Sequence, residues 1–182
     1  QPSSSSSNKC IFYQHGVTSS IEELTQDNTL KSSIYQNAKS NGLTVQCQIF
    51  SAPYGGPTWI KEQNLPFVFI PYDVTSKIQS ESVATGVVML IPSPEFMLSL
   101  VNPSSDKIGR YLSSISDEST RHQLVDIYDA IYEPCVVEFS SWNELNTIIT
   151  QESWRTKQAA CQEHGRLYTD SQLILWHHLF EK

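Results

Sequence analysis

The fold is decided by residues 66–101, PFVFIPYDVTSKIQSESVATGVVMLIPSPEFMLSLV. A continuous apolar run at 67–70, closed by Pro71, predicts a strand that is covered on both faces of a parallel sheet. A polar turn and a helix follow, and Gly86 ends that helix. The apolar run at 87–91 predicts the next buried strand. This order predicts a strand–helix–strand unit, with a helix start beside two strand ends.

The polar turn places a helix start at the carboxyl edge of the predicted sheet. Either Thr75 or Ser76 can cap this helix. The first turn of a helix offers backbone N–H groups without partners and the positive end of the helix dipole. Because parallel α/β sheets bind ligands at this edge, the turn predicts a site for an anionic group such as a phosphate.

Strand and helix patterns alternate along the rest of the chain. Further strands are predicted at 9–15, 45–50 and 135–139, and a helix at 28–42. Ser141 and Glu144 form a capping box that opens another helix, and two tail helices that pack back on the domain are predicted after residue 152. The fold class is therefore α/β, with a Rossmann-like parallel sheet and helices on both faces.

The length of 182 residues predicts one domain. Residues 1–8, QPSSSSSN, are interpreted as a flexible leader. Residues 9–182 are interpreted as a single Rossmann-like domain, with a helical insertion near 102–133 where the sequence is rich in serine and aspartate.

Charge and hydropathy limit the partners. The formal net charge is −7 and no basic run is present, which argues against a nucleic-acid partner. No stretch approaches the roughly 20 apolar residues that span a bilayer, so no transmembrane segment is predicted. The sequence also has no cysteine and histidine grouping at ligand spacing, and no metal site is predicted.

The four cysteines stand far apart, at Cys10, Cys47, Cys135 and Cys161. Three of them fall in or next to apolar strands, which predicts buried free thiols that behave as small hydrophobic residues. The alternative is a disulfide between Cys10 and Cys47, on strands that could be neighbours.

Residues 81–88, ESVATGVV, have a glutamate followed after five positions by a glycine. This segment resembles a signature in the C-terminal domain of many GT-B glycosyltransferases. Four further segments are similar to that domain, namely GGP at 55–57, IPYDVTSK at 70–77, GVVMLIPSPEF at 86–96 and FSSWNEL at 139–145. In order and spacing the resemblance covers roughly residues 10–182.

The resemblance implies half of a GT-B architecture, the half that binds a nucleotide-sugar donor. It implies a nucleotide-sugar as substrate, with no cofactor and no metal. It also implies an acceptor of unspecified class, whether glycan, protein or lipid, and an N-terminal domain of the same parent chain as a partner. Catalytic residues are not assigned, because the general base would come from that other domain.

The resemblance also implies roles for particular residues. Glu81 would accept hydrogen bonds from the ribose hydroxyls, and the helix start at Thr75, Ser76 and Lys77 would receive the diphosphate. The remaining donor-binding positions are predicted at Tyr72, Gly86, His15 and Gly16.

Two alternatives stay open. Lys77 and Glu81 are four residues apart, so they could simply pair on a solvated helix face. The chain also departs from the family pattern, because many members bring an Arg/Lys pair to the donor and only Lys77 lies near the signature here. The alternative function is a non-catalytic Rossmann-like binding or interaction domain.

An exposed apolar patch is predicted near the cleft or along residues 167–180.

Overall fold

The computed structural model describes residues 9–14, 30–50, 56–71, 77–101, 107–114, 128 and 130–180. The strands within these residues are β1 (Lys9–Gln14), β2 (Gln46–Phe50), β3 (Phe67–Ile70), β4 (Met89–Pro92) and β5 (Val136–Phe139). The α-helices are α1 (Leu30–Ser40), α2 (Gly56–Gln63), α3 (Lys77–Thr85), α4 (Pro94–Leu100), α5 (Lys107–Ser114), α6 (Trp142–Thr150) and α7 (Gln158–Phe180). Two 3-10 helices, Ala130–Cys135 and Ser153–Lys157, precede β5 and α7.

The five strands form one sheet in the order β2-β1-β3-β4-β5. Every neighbouring pair is parallel. The predicted α/β class with a Rossmann-like parallel sheet is therefore confirmed. The predicted leader at 1–8 lies outside the described residues, and of the predicted insertion at 102–133 the structure describes α5 and the residues from 130, together with Tyr128.

The centre of the sheet is buried on both faces. All residues of β3 are at most 1% exposed, and every residue of β4 is buried. A strand flanked by neighbours and covered by helices above and below has no solvated face, so its sequence is apolar throughout rather than alternating. This is the physical reason why the run at 67–70 identifies a central strand.

Helices cover both faces of the sheet. On one face, the turn after α1 is bonded to α6: the Asn146 amide donates to the Gly42 carbonyl at 2.6 Å and its oxygen accepts from the Thr44 N–H at 2.9 Å. A second layer is formed by α2, α3 and α7, because α3 contacts both of the others. Right-handed crossovers put α1 and α2 on opposite faces, since β2 and β3 lie on opposite sides of β1.

Glycine ends α3 as the sequence predicts. Gly86 has a φ of 71°, its N–H donates to the Val83 carbonyl at 2.9 Å, and the Val87 N–H donates to the Ser82 carbonyl at 2.8 Å. This is a Schellman motif, which needs a left-handed residue that glycine adopts without strain. Because Val87 belongs to the helix cap, β4 begins at Met89, two residues later than predicted.

The predicted capping box at the start of α6 is confirmed. The Ser141 hydroxyl accepts from the Glu144 N–H at 3.2 Å, and the Glu144 carboxylate accepts from the Ser140 N–H at 2.7 Å. The backbone N–H groups of Ser140 and Glu144, at the start of α6, therefore both have acceptors.

The tail consists of the 3-10 helix at Ser153–Lys157 and the 23-residue helix α7. Its first part packs back on the domain, where Cys161 and Gly165 are buried. Further along, Leu167, Leu173 and Ile174 are 51%, 56% and 58% exposed. Exposed apolar side chains therefore occur along this helix as predicted, and whether they form a patch stays a prediction, because the side chains of residues 175–180 are not described.

The crossing of α3 and α7 depends on two glycines. A Cβ atom on Gly165 would lie against the Val83 carbonyl oxygen, and one on Gly86 would lie 2.8 Å from the Gln162 backbone. The side-chain amide of Gln158 donates to the Gly86 carbonyl at 2.9 Å. The two helix backbones can approach this closely only because neither glycine has a side chain.

The prediction of free thiols is wrong, because all four cysteines are in disulfides. Cys10 and Cys47 are register partners on β1 and β2, with Cα atoms 4.3 Å apart, so the alternative pairing is the one found. Cys135 and Cys161 form a second disulfide, with Cα atoms 4.6 Å apart. This second pair joins the start of β5 to α7, and the sequence analysis did not consider it because only the packing of the tail brings the two residues together.

Candidate functional site

The strand order reverses beside β1. The chain moves from β1 to β2 on one side and then crosses to β3 on the other side of β1. Such a reversal separates the connections that leave two neighbouring strands and leaves a crevice outside their carboxyl ends. In this fold the rule points to the ends of β1 and β3, at Gln14 and Ile70, and the segments that follow them, 15–29 and 72–76, lie outside the described residues.

Aromatic side chains pack together near the carboxyl ends of β1 and β3. The Tyr13 ring, one residue before the end of β1, stacks on the Phe69 ring with centroids 5.7 Å apart. Phe69 is fully buried, and Tyr13 is only partly buried. The ends of β1 and β3 are therefore joined by side-chain packing as well as by their backbone pairing.

Helix α3 is the helix that follows β3, and Lys77 is the first of its nine described residues. The Lys77 side chain is 88% exposed and lies 3.3 Å from the Glu81 carboxylate, which is 37% exposed. This is the solvated i,i+4 pair that the sequence analysis left open as an alternative. Both groups remain accessible to a ligand on the outer side of α3.

Three of the eight predicted donor-binding residues fall within the described structure, namely Lys77, Glu81 and Gly86. The other five, His15, Gly16, Tyr72, Thr75 and Ser76, lie outside the described residues. Lys77 and Glu81 are brought together at the start of α3, whereas Gly86 lies at its far end, under α7. In the described geometry Gly86 ends a helix and allows a close helix crossing.

A second group of polar side chains lies near the carboxyl ends of β4 and β5. The buried Tyr128 hydroxyl donates to the Pro92 carbonyl at 2.8 Å. Burial raises the pKa of Tyr128 well above its usual value, and the nearby charges of Glu138 and Glu95 raise it further. The Tyr128 phenol therefore stays protonated. The negative charges of Glu138 and Glu95 also make this part of the carboxyl edge unfavourable for an anionic ligand.

Sequence reasoning missed the role of Tyr128. For its segment the sequence predicts only a helical insertion near 102–133. The residue type alone could have indicated a buried hydrogen bond, because the hydroxyl of a buried tyrosine normally donates to an acceptor. The acceptor, Pro92, is 36 residues away, so the pairing could not be read from local sequence.

Metal and membrane features are also absent from the described part of the chain. The described residues contain no group of three or more His, Cys, Asp or Glu side chains placed to hold a metal ion. Among those same residues, no helix has the length and apolar character that crossing a membrane requires.

Comparisons with known proteins give no match: neither a protein-family model, nor a curated protein, nor a solved structure matches this chain.

Proposed function

We propose that this chain is the donor-binding half of a glycosyltransferase that moves a sugar from a nucleotide-sugar to an acceptor. The diphosphate of the donor would lie in the crevice between the carboxyl ends of β1 and β3, and the ribose would lie along α3. The acceptor, and the general base that activates it, would come with an N-terminal domain of the parent chain.

The observation that carries the proposal is the coincidence of the strand-order reversal with the start of α3. The reversal opens a crevice at the carboxyl edge, and a helix that starts there directs N–H donors and a positive dipole end toward it. Lys77 adds a cationic side chain at the same position. These features favour the diphosphate leaving group, whose negative charge increases as the sugar is transferred.

Glu81 is close enough to the helix start to reach a ribose while the diphosphate occupies the first turn. Its carboxylate is one helical turn from Lys77 and partly exposed. An exposed i,i+4 pair stabilises a helix by only about 0.2 to 0.5 kcal/mol. A ligand can therefore separate Lys77 from Glu81 at little cost, with the ammonium turning to phosphate and the carboxylate to the ribose hydroxyls.

The proposal is tested by calorimetric titration of the whole chain with uridine, guanosine and adenosine diphosphates. We expect one of them to bind, and Glu81→Ala to weaken that binding by about ten- to a hundredfold, because charge-assisted hydrogen bonds to ribose are lost. The matched control is Glu62→Ala, which removes an exposed helix glutamate from α2 and should leave affinity unchanged. Urea unfolding should show nearly equal stability for all three proteins.

The second candidate is a non-catalytic interaction domain with the same fold. It is favoured by the exposed apolar side chains Leu167, Leu173 and Ile174 on α7, and by the satisfied Lys77–Glu81 pair. Absence of nucleotide binding at millimolar ligand, or equal binding by parent and Glu81→Ala, would reject the donor site and favour this second function.

A further inference from the structure

Disulfides attach two elements at the periphery of the fold. β2 is an edge strand, since it stands first in the sheet order and pairs with β1. Cys47 on β2 is bonded to Cys10 on β1. α7 is the last helix of the described chain, and Cys161 on this helix is bonded to Cys135, just before β5. The two bonds use all four cysteines of the chain.

The described side chains of β2 are polar or only partly buried. Gln46 and Gln48 are exposed, and Cys47 between them is half-buried. The central strands differ, because every residue of β3 and β4 is apolar and buried. Burial of apolar surface is the main favourable contribution to folding, and residues 46–48 supply little of it. The bond from Cys47 to Cys10 therefore provides attachment that the neighbouring side chains do not.

The helix α7 is attached in a similar way. Among residues 158–174, whose burial is described, Cys161 and Gly165 are the buried ones, and Tyr168 is half-buried. Because Gly165 has no side chain, Cys161 supplies the fully buried side chain by which α7 packs on the domain. Every described side chain after Tyr168 is exposed. Without the bond to Cys135, α7 would therefore keep few apolar contacts with the rest of the domain.

Both bonds are shielded in the folded chain. Cys10, Cys135 and Cys161 are each 0% exposed. A thiolate must reach a sulfur atom to break a disulfide, so these bonds do not exchange readily once the chain has folded. Burial therefore favours a permanent structural role over a reversible redox switch.

We propose that this chain folds in an oxidising compartment, where a disulfide-bearing oxidant acts on its two cysteine pairs as β2 and α7 attach. In each reaction one cysteine thiolate attacks the disulfide of the oxidant and releases one thiol. The second cysteine then attacks the mixed disulfide and releases the other thiol. Two electrons and two protons pass from the cysteine pair to the oxidant. In the cytosol, where glutathione and thioredoxin keep thiols reduced, β2 and α7 would lack this attachment.

The two pairs are not interleaved in the sequence. Cys10 pairs with the next cysteine, Cys47, at a separation of 37 residues, and Cys135 pairs with Cys161 at a separation of 26. Shorter loops close at a lower entropic cost, so these pairings are favoured over the alternatives among the four cysteines. Each bond should therefore form without the other. The proposal does not depend on the glycosyltransferase function.

The experiment is refolding of the reduced and denatured chain in two buffers, one with reduced and oxidised glutathione and one with dithiothreitol. In glutathione we expect no free thiol by alkylation and mass spectrometry, and peptide mapping should recover Cys10–Cys47 and Cys135–Cys161. In dithiothreitol, amide hydrogen exchange in β2 and α7 should be at least about tenfold faster, because neither element is covalently attached. The control is the variant with all four cysteines replaced by alanine, which should exchange equally in both buffers.

Two double variants test the bonds separately. Cys10→Ala with Cys47→Ala should lose protection in β2 and keep it in α7, whereas Cys135→Ala with Cys161→Ala should show the reverse. Equal exchange of the parent in both buffers would overturn the proposal. Free thiols or other pairings after refolding in glutathione, or a response of the cysteine-free variant to dithiothreitol, would also overturn it. Fast exchange throughout the reduced parent would support it, because the whole fold would then require the bonds.

Discussion

The two edges of the sheet differ in how they are held. At the amino edge, long-range contacts join distant parts of the chain: the Cys135–Cys161 disulfide, the Gln158 bond to the Gly86 carbonyl, and the Lys157 bond to the Glu133 carbonyl at 2.9 Å. Cys10 and Cys47 form the second disulfide at this edge, near the amino ends of β1 and β2. At the carboxyl edge the contacts are not covalent, and they include the exposed Lys77–Glu81 pair, the buried Tyr128 bond and the Ser93 N–H bond to the Phe139 carbonyl at 2.9 Å.

This difference indicates which residues contribute most to the free energy of unfolding. Residues that tie α7 to the sheet should be costly to remove, whereas exposed residues at the start of α3 can change with little effect on folding.

The largest effect is expected from removal of the disulfide that anchors α7. Cys135→Ala combined with Cys161→Ala should lower the free energy of unfolding by about 3 kcal/mol, since the bond closes a 26-residue separation and restricts the unfolded chain. Urea unfolding followed by circular dichroism measures the change. The comparison of the two edges fails if the double variant unfolds at the midpoint of the parent. A thiol assay in denaturant should find no free thiol before reduction.

The next effect is expected at the helix crossing. Gly165→Ala places a methyl group against the Val83 carbonyl and 3.1 Å from the Gly86 nitrogen, so α3 and α7 must separate. We expect a loss of about 1 to 3 kcal/mol, although alanine is otherwise the better helix former. Ser171→Ala, at an exposed position of the same helix, is the control and should change stability by less than about 0.5 kcal/mol. Equal stability of the two variants would show that the crossing is loosely packed.

The smallest effect is expected from Tyr128→Phe at the carboxyl edge. At neutral pH the variant should lose about 1 to 2 kcal/mol, because the hydrogen bond to the buried Pro92 carbonyl is removed. Burial raises the pKa of Tyr128 above the value of about 10 expected in the unfolded chain, so the protonated phenol stabilises the fold fully below pH 10. That contribution is lost as the pH rises above about 10, because the unfolded state then releases its proton more readily.

Parent and Tyr128→Phe should therefore converge in stability above about pH 10. Urea unfolding of both proteins between pH 7 and 11 measures this. Parallel curves over that range would mean that the phenol is hydrated in the folded state, and the carboxyl edge would then be even less constrained than its hydrogen bond indicates.

Much of the fold was predictable because its signals are local. The apolar run at 67–70, the glycine at Gly86 and the capping box at Ser141 each act through residues within a few positions. The candidate site was predictable in part: Lys77 and Glu81 were placed on one helix face by their spacing, and they do lie together. Their role toward a donor stays a prediction.

The sequence by itself determined the positions of the five strands, the parallel sheet, the end of α3 and the start of α6, because backbone preferences and apolar periodicity are properties of short segments. Only the tertiary structure decided the pairing of Cys135 with Cys161 and the contact of Gly165 with α3. Each of these joins residues far apart in the chain, and their distances depend on how whole elements pack.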